Sequence, residues 1–248
     1  MIRLRDSRVG MLLLMPVPLT DLPDTGNCIP ENVRHLVCQT RHFVVENAKT
    51  ARKIIKLLGH PLPLAQLQLS ELNEHTPPDN IEALLDPAFD GHDIGLMSEA
   101  GCPAIADPGA LLVKRAHEKG IRVRPLTGPS SLILGLMASG LEGQRFAFAG
   151  YVPANAMERR KRLLQLEQRS RHEDETQLVI ETPYRNDAFL TTLLETLSPS
   201  TRLCVARDLT GHNEWVITRT ITEWRQSSSP SLKGFPALFL FQAASHRQ

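Results

Sequence analysis

The densest concentration of chemically suggestive residues lies between His92 and Ser131, HDIGLMSEAGCPAIADPGALLVKRAHEKGIRVRPLTGPSS. Two glycine, proline and serine clusters sit inside it, Ser98–Gly109 (SEAGCPAIADPG) and Thr127–Ser131 (TGPSS). Each follows an apolar, strand-like run and leads into a helical pattern. Gly101 and Gly109 let backbone approach a ligand closely, while Ala100, Ala104 and Ala106 keep the wall shallow. Amides opening the helices after Asp107 and Gly128 are placed to hold a carboxylate. One such cluster is most simply a good turn with a helix cap. Two, about 20 residues apart and each at a strand end, point to a site for a small, partly charged cofactor.

Other groups carry less. Arg159, Arg160, Lys161, Arg162, Arg169 and Arg171 form a basic stretch that could track RNA phosphates. Glu158, Glu167, Glu173 and Asp174 interleave with them, and in isolation that pattern describes a solvated helix. Cys28, His35, Cys38 and His42 contain no pair at zinc-finger spacing, so no metal site is expected. The four cysteines are scattered without a C-x-x-C pair, which argues against a disulfide scaffold.

The elements that position the two clusters read as an α/β protein. Met11–Met15 is a continuous apolar run ended by proline, as in a buried parallel strand. The loop after it, Pro16-Val17-Pro18-Leu19-Thr20-Asp21, lacks both G-x-G-x-x-G and G-x-x-x-x-G-K-[ST], which excludes the common nucleotide-binding turns. Phe43–Val45 reads as a second strand. Ala51, Ile54, Ile55 and Leu58 then share one helix face, with Gly59 as the stop. Pro61–Leu69 reads as loop plus a short strand, and Asp79 as the cap of a helix over Ile81, Leu84 and Leu85. Asp93–Met97 and Ile121–Val123 are strands, and between them Asp107 caps a helix with Pro108 at its first position, running to Lys119. A further helix spans Ser131–Ser139. Alternation over 11–125 predicts a mostly parallel, helix-covered sheet.

The second half has strand patterns at Phe146–Gly150, Gln177–Ile180, Arg202–Ala206, Glu214–Thr218 and Ala237–Phe241. Helices are expected at Met157–Gln168 and Asn186–Leu197, and none between the last strands, which predicts a mixed sheet. The pattern changes near Leu126, dividing the chain into residues 11–126 and 127–248. Composition is that of a soluble globular protein: 248 residues, 42% apolar, 22% charged, net charge +1. The longest apolar run, Met11–Leu19, falls short of the ~20 residues of a membrane helix. Arg3, Arg5 and Arg8 imitate a signal peptide, but no small-x-small cleavage site follows. A cytoplasmic protein without a membrane partner is expected.

SEAGCPAIADPG, GIRVRPLTGPSS, SGL and the later F-A-G-Y-V-P together resemble the class III methyltransferases of the tetrapyrrole methylase superfamily. Within these the chain is most similar to the ribosomal RNA small-subunit methyltransferase I branch. Ile180-Glu181-Thr182-Pro183-Tyr184-Arg185 resembles that branch's E-[ST]-P-x-R, and Val205-Ala206-Arg207-Asp208-Leu209-Thr210 its A-R-E-L-T. The likeness spans most of residues 11–242 and is most specific over 98–131.

The resemblance implies a two-domain α/β homodimer that binds S-adenosylmethionine, with a mostly parallel N-terminal sheet and a mixed C-terminal one. The rRNA branch methylates a ribose 2′-hydroxyl, whereas relatives methylate tetrapyrrole precursors. By motif position the cofactor contacts are Pro18, Ser98, Glu99, Ala100, Gly101, Cys102, Ala106, Gly128, Pro129, Ser130, Ser131 and Tyr184. Methyl transfer is an in-line displacement dominated by positioning, and needs no covalent enzyme intermediate, so Cys102 is a wall residue rather than a nucleophile. A hydroxyl acceptor also benefits from a base. Glu46 and Glu99 are the candidate catalytic carboxylates, Glu46 equally readable as a strand-end carboxylate holding loop amides. Lys49 is a phosphate-orienting residue or a solvated first-turn lysine.

The chain departs from the branch at two places. PVPLTDL stands where P-T-P-I-G-N-L is usual, losing a glycine, and Glu46-Asn47-Ala48-Lys49 stands for E-D-T-R. Three readings stay open: an RNA methyltransferase, a methyltransferase for a small tetrapyrrole-like acceptor, and a non-catalytic cofactor-binding paralogue.

Overall fold

The computed structural model describes residues 9–20, 28–73, 75–77, 80–228 and 231–244. They form two compact units that divide after Ser130. The first unit runs β1 (Leu12–Leu14), α1 (Glu31–Gln39), β2 (His42–Val45), α2 (Ala48–Leu57), β3 (Gln68–Glu71), α3 (Asp86–Phe89), β4 (Ile94–Met97), α4 (Gly109–Glu118) and β5 (Val123–Pro125). Its sheet has the order β3-β2-β4-β1-β5, and every pairing is parallel.

A parallel sheet must be covered on both faces, and the apolar runs supply both. Leu13, Met15, Phe43 and Val45 face Val33 and Val37 of α1 and Ala51, Ile54 and Ile55 of α2. Leu12, Val44, Ile94 and Leu96 face the other way, onto Leu85, Ala88 and, from α4, Leu112 and Ala116. The second helix starts where Asn47 Oδ1 accepts from the amides of Lys49 (2.9 Å) and Thr50 (3.1 Å). Asn47→Ala removes that cap while leaving the helix exposed face intact. It is expected to lower the urea-unfolding free energy by about 1 kcal/mol.

Several local expectations are corrected. The strand expected at Ile121–Val123 begins only at Val123, because the Ile121 amide bonds to Ala116 O (2.9 Å) and the Gly120 amide to His117 O (3.1 Å). This is a Schellman closure of α4, with Gly120 left-handed at φ +70, and it consumes the donor that would open the strand. Pro108 is the capping residue of α4 rather than its first helical residue; Asp107 reaches past it, accepting from Gly109 N at 2.7 Å. Asp79 lies outside the described residues, and the residues it was expected to lead form a 3-10 turn, Glu82–Leu85. The first helix, α1, was not anticipated, although Val33 and Val37 stand one turn apart.

The second unit runs α5 (Ser131–Ser139), β6 (Phe146–Tyr151), α6 (Ala156–Glu173), β7 (Thr176–Ile180), α7 (Asn186–Thr196), β8 (Arg202–Arg207), β9 (Trp215–Thr220), α8 (Ile221–Arg225) and β10 (Ala237–Gln242). Its order is β6-β7-β10-β8-β9, with β6–β7 parallel and the other pairings antiparallel, hence a mixed sheet. Helix α8 lies between the last two strands, where none was expected. Thr220 and Glu223 form a full capping box, a T-x-x-E signature present in the sequence.

Candidate functional site

In an open parallel sheet, a ligand crevice forms beyond the carboxyl ends of neighbouring strands whose connections leave to opposite faces. Strands β1 and β4 meet that condition. They pair directly, yet α1 after β1 packs on one face and α4 after β4 on the other. The loops leaving their carboxyl ends are Pro16–Thr20 and Ser98–Pro108, and β5 beside β1 leads into Thr127–Ser130.

These three segments lock together through a backbone bridge, a thiol hydrogen bond and one close packing contact. Val17 and Gly101 form an isolated antiparallel bridge, with N···O distances of 2.9 and 3.2 Å in the two directions. Gly101 has φ +71, and an added Cβ there would lie 3.1 Å from Leu19 Cδ2. At Gly128 an added Cβ would stand 2.2 Å from Pro16 Cγ. Cys102 Sγ donates to Pro129 O at 3.4 Å, tying the two glycine clusters directly. Burial pushes the Cys102 thiol above its usual range, as suits a wall residue rather than a thiolate nucleophile.

Carboxylates gather at the same edge. Glu46, just past β2, accepts from the Glu99 amide through Oε2 (3.1 Å), while its own amide bonds Met97 O (3.2 Å). It thus does what a strand-end carboxylate holding loop amides would do. Burial raises its pKa above the ordinary value; the Glu99 and Asp107 charges add to this and the Glu99 amide opposes it. Glu99 itself is exposed, and its Oε1 accepts from Thr50 Oγ1 at 3.3 Å.

Asp107 Oδ1 accepts from Ala104 N (3.0 Å) and Gly109 N (2.7 Å), whereas Oδ2 is buried with no hydrogen-bond partner. Burial again raises the pKa, against the pull of those amides. Ala104 and Ala106 are left-handed at φ 66 and 62. For residues with a Cβ, such a conformation persists only when the surroundings impose it, here the Asp107 clamp.

Of the residues singled out from sequence, the first unit brings Pro18, Ser98, Glu99, Ala100, Gly101, Cys102, Ala106, Gly128, Pro129 and Ser130 onto these three interlocked loops. Ser98 is nearly buried, its hydroxyl donating to Ala100 O at 3.1 Å. Lys49 is exposed in the first turn of α2. Ser131 and Tyr184 belong to the second unit. Ser131 opens α5; Tyr184 sits in the 3-10 turn Pro183–Arg185, 69% exposed, with the Arg185 guanidinium 5.4 Å from its ring centre. Sequence reasoning missed Thr50, whose signal was its place one turn after Glu46, and the bridging role of Val17.

The chain is similar to known proteins over most of its length. The family model for Tetrapyrrole (Corrin/Porphyrin) Methylases matches residues 29–224. A "Ribosomal RNA small subunit methyltransferase I" from Xylella fastidiosa (strain Temecula1) is 34% identical over 215 residues, covering 87% of this chain and 74% of the relative. One of the same name from Escherichia coli O157:H7 is 31% identical, covering 83% and 67%. Among solved structures, diphthine synthase superposes with a TM-score of 0.63 at 15% identity, over 94% of this chain and 90% of that one. The methyltransferase CobJ does so with 0.60 at 16%, over 96% of each. At these identities the two structures speak for the fold alone. The chain belongs to the tetrapyrrole (corrin/porphyrin) methylases.

Proposed function

We propose that this chain is an S-adenosylmethionine-dependent methyltransferase acting on ribosomal RNA, at a ribose 2′-hydroxyl. The observation that carries the donor half is the interlocking of Pro16–Thr20, Ser98–Pro108 and Thr127–Ser130 at the carboxyl edge of the parallel sheet. The names of its relatives direct the acceptor half. The residues present fit the cofactor: three carboxylates at one edge, one of them with a buried unpartnered oxygen, suit a cation, and no metal is needed to hold a sulfonium. Ser98, Ala100, Gly101, Gly128 and Pro129 would hold it through backbone, with Pro18, Cys102, Ala106, Ser130, Ser131 and Tyr184 as further contacts.

When bound, S-adenosylmethionine supplies an electrophilic methyl group. The chain's own residues then orient the acceptor oxygen in line with that methyl and take up the hydroxyl proton. Glu99 is the group placed to accept the proton, being exposed and steered by Thr50; Glu46 fixes the Glu99 backbone. Methyl transfer would leave the carbon–sulfur electron pair on sulfur as the new oxygen–carbon bond forms, and Glu99 would take up the proton lost by the acceptor hydroxyl.

No helix among the described residues is long and apolar enough to cross a membrane. We place the protein in the cytoplasm, where its substrate is made, working as a homodimer. Ile133 and Met137, one turn apart on α5, expose an apolar stripe that supports pairing. The deciding experiment is transfer of tritiated methyl to small-subunit rRNA transcribed without modifications, beside calorimetry with S-adenosylhomocysteine. Transfer to RNA supports the reading. Binding without transfer to RNA turns it towards a small acceptor or a non-catalytic paralogue, and absence of binding overturns it.

A further inference from the structure

The arginines of the second unit are almost all occupied by their own chain. Arg145 pairs with Asp174, Arg169 with Glu175 and Arg185 with Glu181. Arg159, Arg202, Arg207 and Arg225 donate to backbone carbonyls, Arg171 donates to Ser198 Oγ, and Arg219 lies over the Trp224 ring. Among the described residues of this unit, Arg160 and Arg162 are the arginines without such a partner, and Lys161 between them has none either. The basic stretch seen in the sequence therefore separates into occupied members, Arg159, Arg169 and Arg171, and a consecutive unoccupied trio.

That trio sits on the second turn of α6, whose inward face is Leu163, Leu166, Glu167 and Ser170. At 100° per residue, Lys161 points almost directly away from this face, with Arg160 and Arg162 to either side. All three are exposed. Their Cα atoms lie within about 3 Å of one another along the helix axis, so the cations form a band across the helix rather than a stripe along it. Glu158 stands one turn before Arg162 and makes no ion pair with it within 4 Å. An i,i+4 pair of this kind would stabilise the helix by about 0.2–0.5 kcal/mol if it formed. Met157, 83% exposed, and Leu164, 46% exposed, offer apolar surface on the Arg160 side of the band.

We infer that this band, Arg160-Lys161-Arg162, is a docking surface for RNA, crossed by a phosphate backbone at right angles to α6. The inference rests on the RNA reading above and adds where the acceptor is gripped. Its chemistry is sequence-independent phosphate contact, in which cations replace counterions and set how steeply binding falls with salt.

The test uses the full chain and a fluorescein-labelled, unmodified small-subunit rRNA transcript, with anisotropy titrations from 50 to 200 mM salt. R160A/K161A/R162A should lower the slope of log affinity against log salt by about 2, so that the wild type's affinity falls about 16-fold more across that range. Affinity for S-adenosylhomocysteine should be unchanged, which shows that the variant is folded. R160K/R162K should keep the wild-type slope, since a point charge suffices for a phosphate. An unchanged slope in the triple variant overturns the inference while leaving methylation of RNA intact. A wild type that binds the transcript but methylates no RNA overturns the functional reading, and the slope still decides the docking surface. A wild type that does not bind RNA overturns both.

Discussion

Gly128→Ala is expected to lower affinity for S-adenosylhomocysteine by about tenfold or more, the equivalent of 1.4 kcal/mol or greater. The reason is local and steric. The added methyl would sit 2.2 Å from Pro16 Cγ and 2.3 Å from Pro16 Cβ. A proline ring has no rotamer by which to retreat, so backbone must move on one side. If the Thr127–Ser130 turn moves, it carries Pro129 O away from Cys102 Sγ. If Pro16 moves, Val17 strains its bridge to Gly101. Either way two of the three loops lose register with each other, which is the property that makes them a cradle. Overpacking of this kind costs about 1–3 kcal/mol, which an ordinary domain survives, so a folded protein with weakened binding is the expected outcome. Gly143→Ala serves as the control, since nothing lies within 4 Å of an added Cβ there. Calorimetry that finds G128A binding as tightly as the control would remove the cradle from the account.

The same three loops show where sequence is readable and where it stops. Strand β1 was legible because a strand buried on both faces has no polar alternation to blur it, and Leu12–Leu14 reads straight off. Helix α5 matched its expected span, Ser131–Ser139, between a serine cluster and Gly140 at φ +64. Two glycine clusters marked the loops that interlock, because close backbone approach needs missing side chains. What they could not announce was which backbone approaches them. The Val17–Gly101 bridge and the Gly128–Pro16 contact join residues 84 and 112 positions apart in sequence, and no local periodicity encodes such a pairing. The start of β5 failed for a different reason. Ile121 has the right character for a strand, but its amide was already claimed by the end of α4. Competition for a single donor is invisible until both claimants are placed.

Two of the three carboxylates at this edge, Glu46 and Glu99, are expected to part company under amide substitution. Glu99→Gln keeps the side chain's shape and its bond from Thr50 but cannot take a proton, so kcat should fall by about 10²–10⁴. Glu46→Gln retains a carbonyl oxygen able to accept from the Glu99 amide, so kcat should stay within about threefold of wild type. Glu46→Ala removes the acceptor and releases the Glu99 backbone, with a loss of about tenfold. Stability gives an independent handle on Glu46. Its pKa is raised in the folded protein, chiefly by burial, so the folded state holds this proton more tightly than the unfolded state does. Below the ordinary carboxylate pKa both states are protonated and Glu46 costs nothing. As pH rises from that value through the raised one, stability falls, and above the window the full cost remains. Glu46→Gln abolishes this dependence, so urea midpoints should show the variant gaining on wild type as pH rises through the window, the gain vanishing in acid. Should Glu99→Gln retain kcat while Glu46→Gln loses it, the proton acceptor is Glu46, and the bond to the Glu99 amide is the means by which that base is aimed.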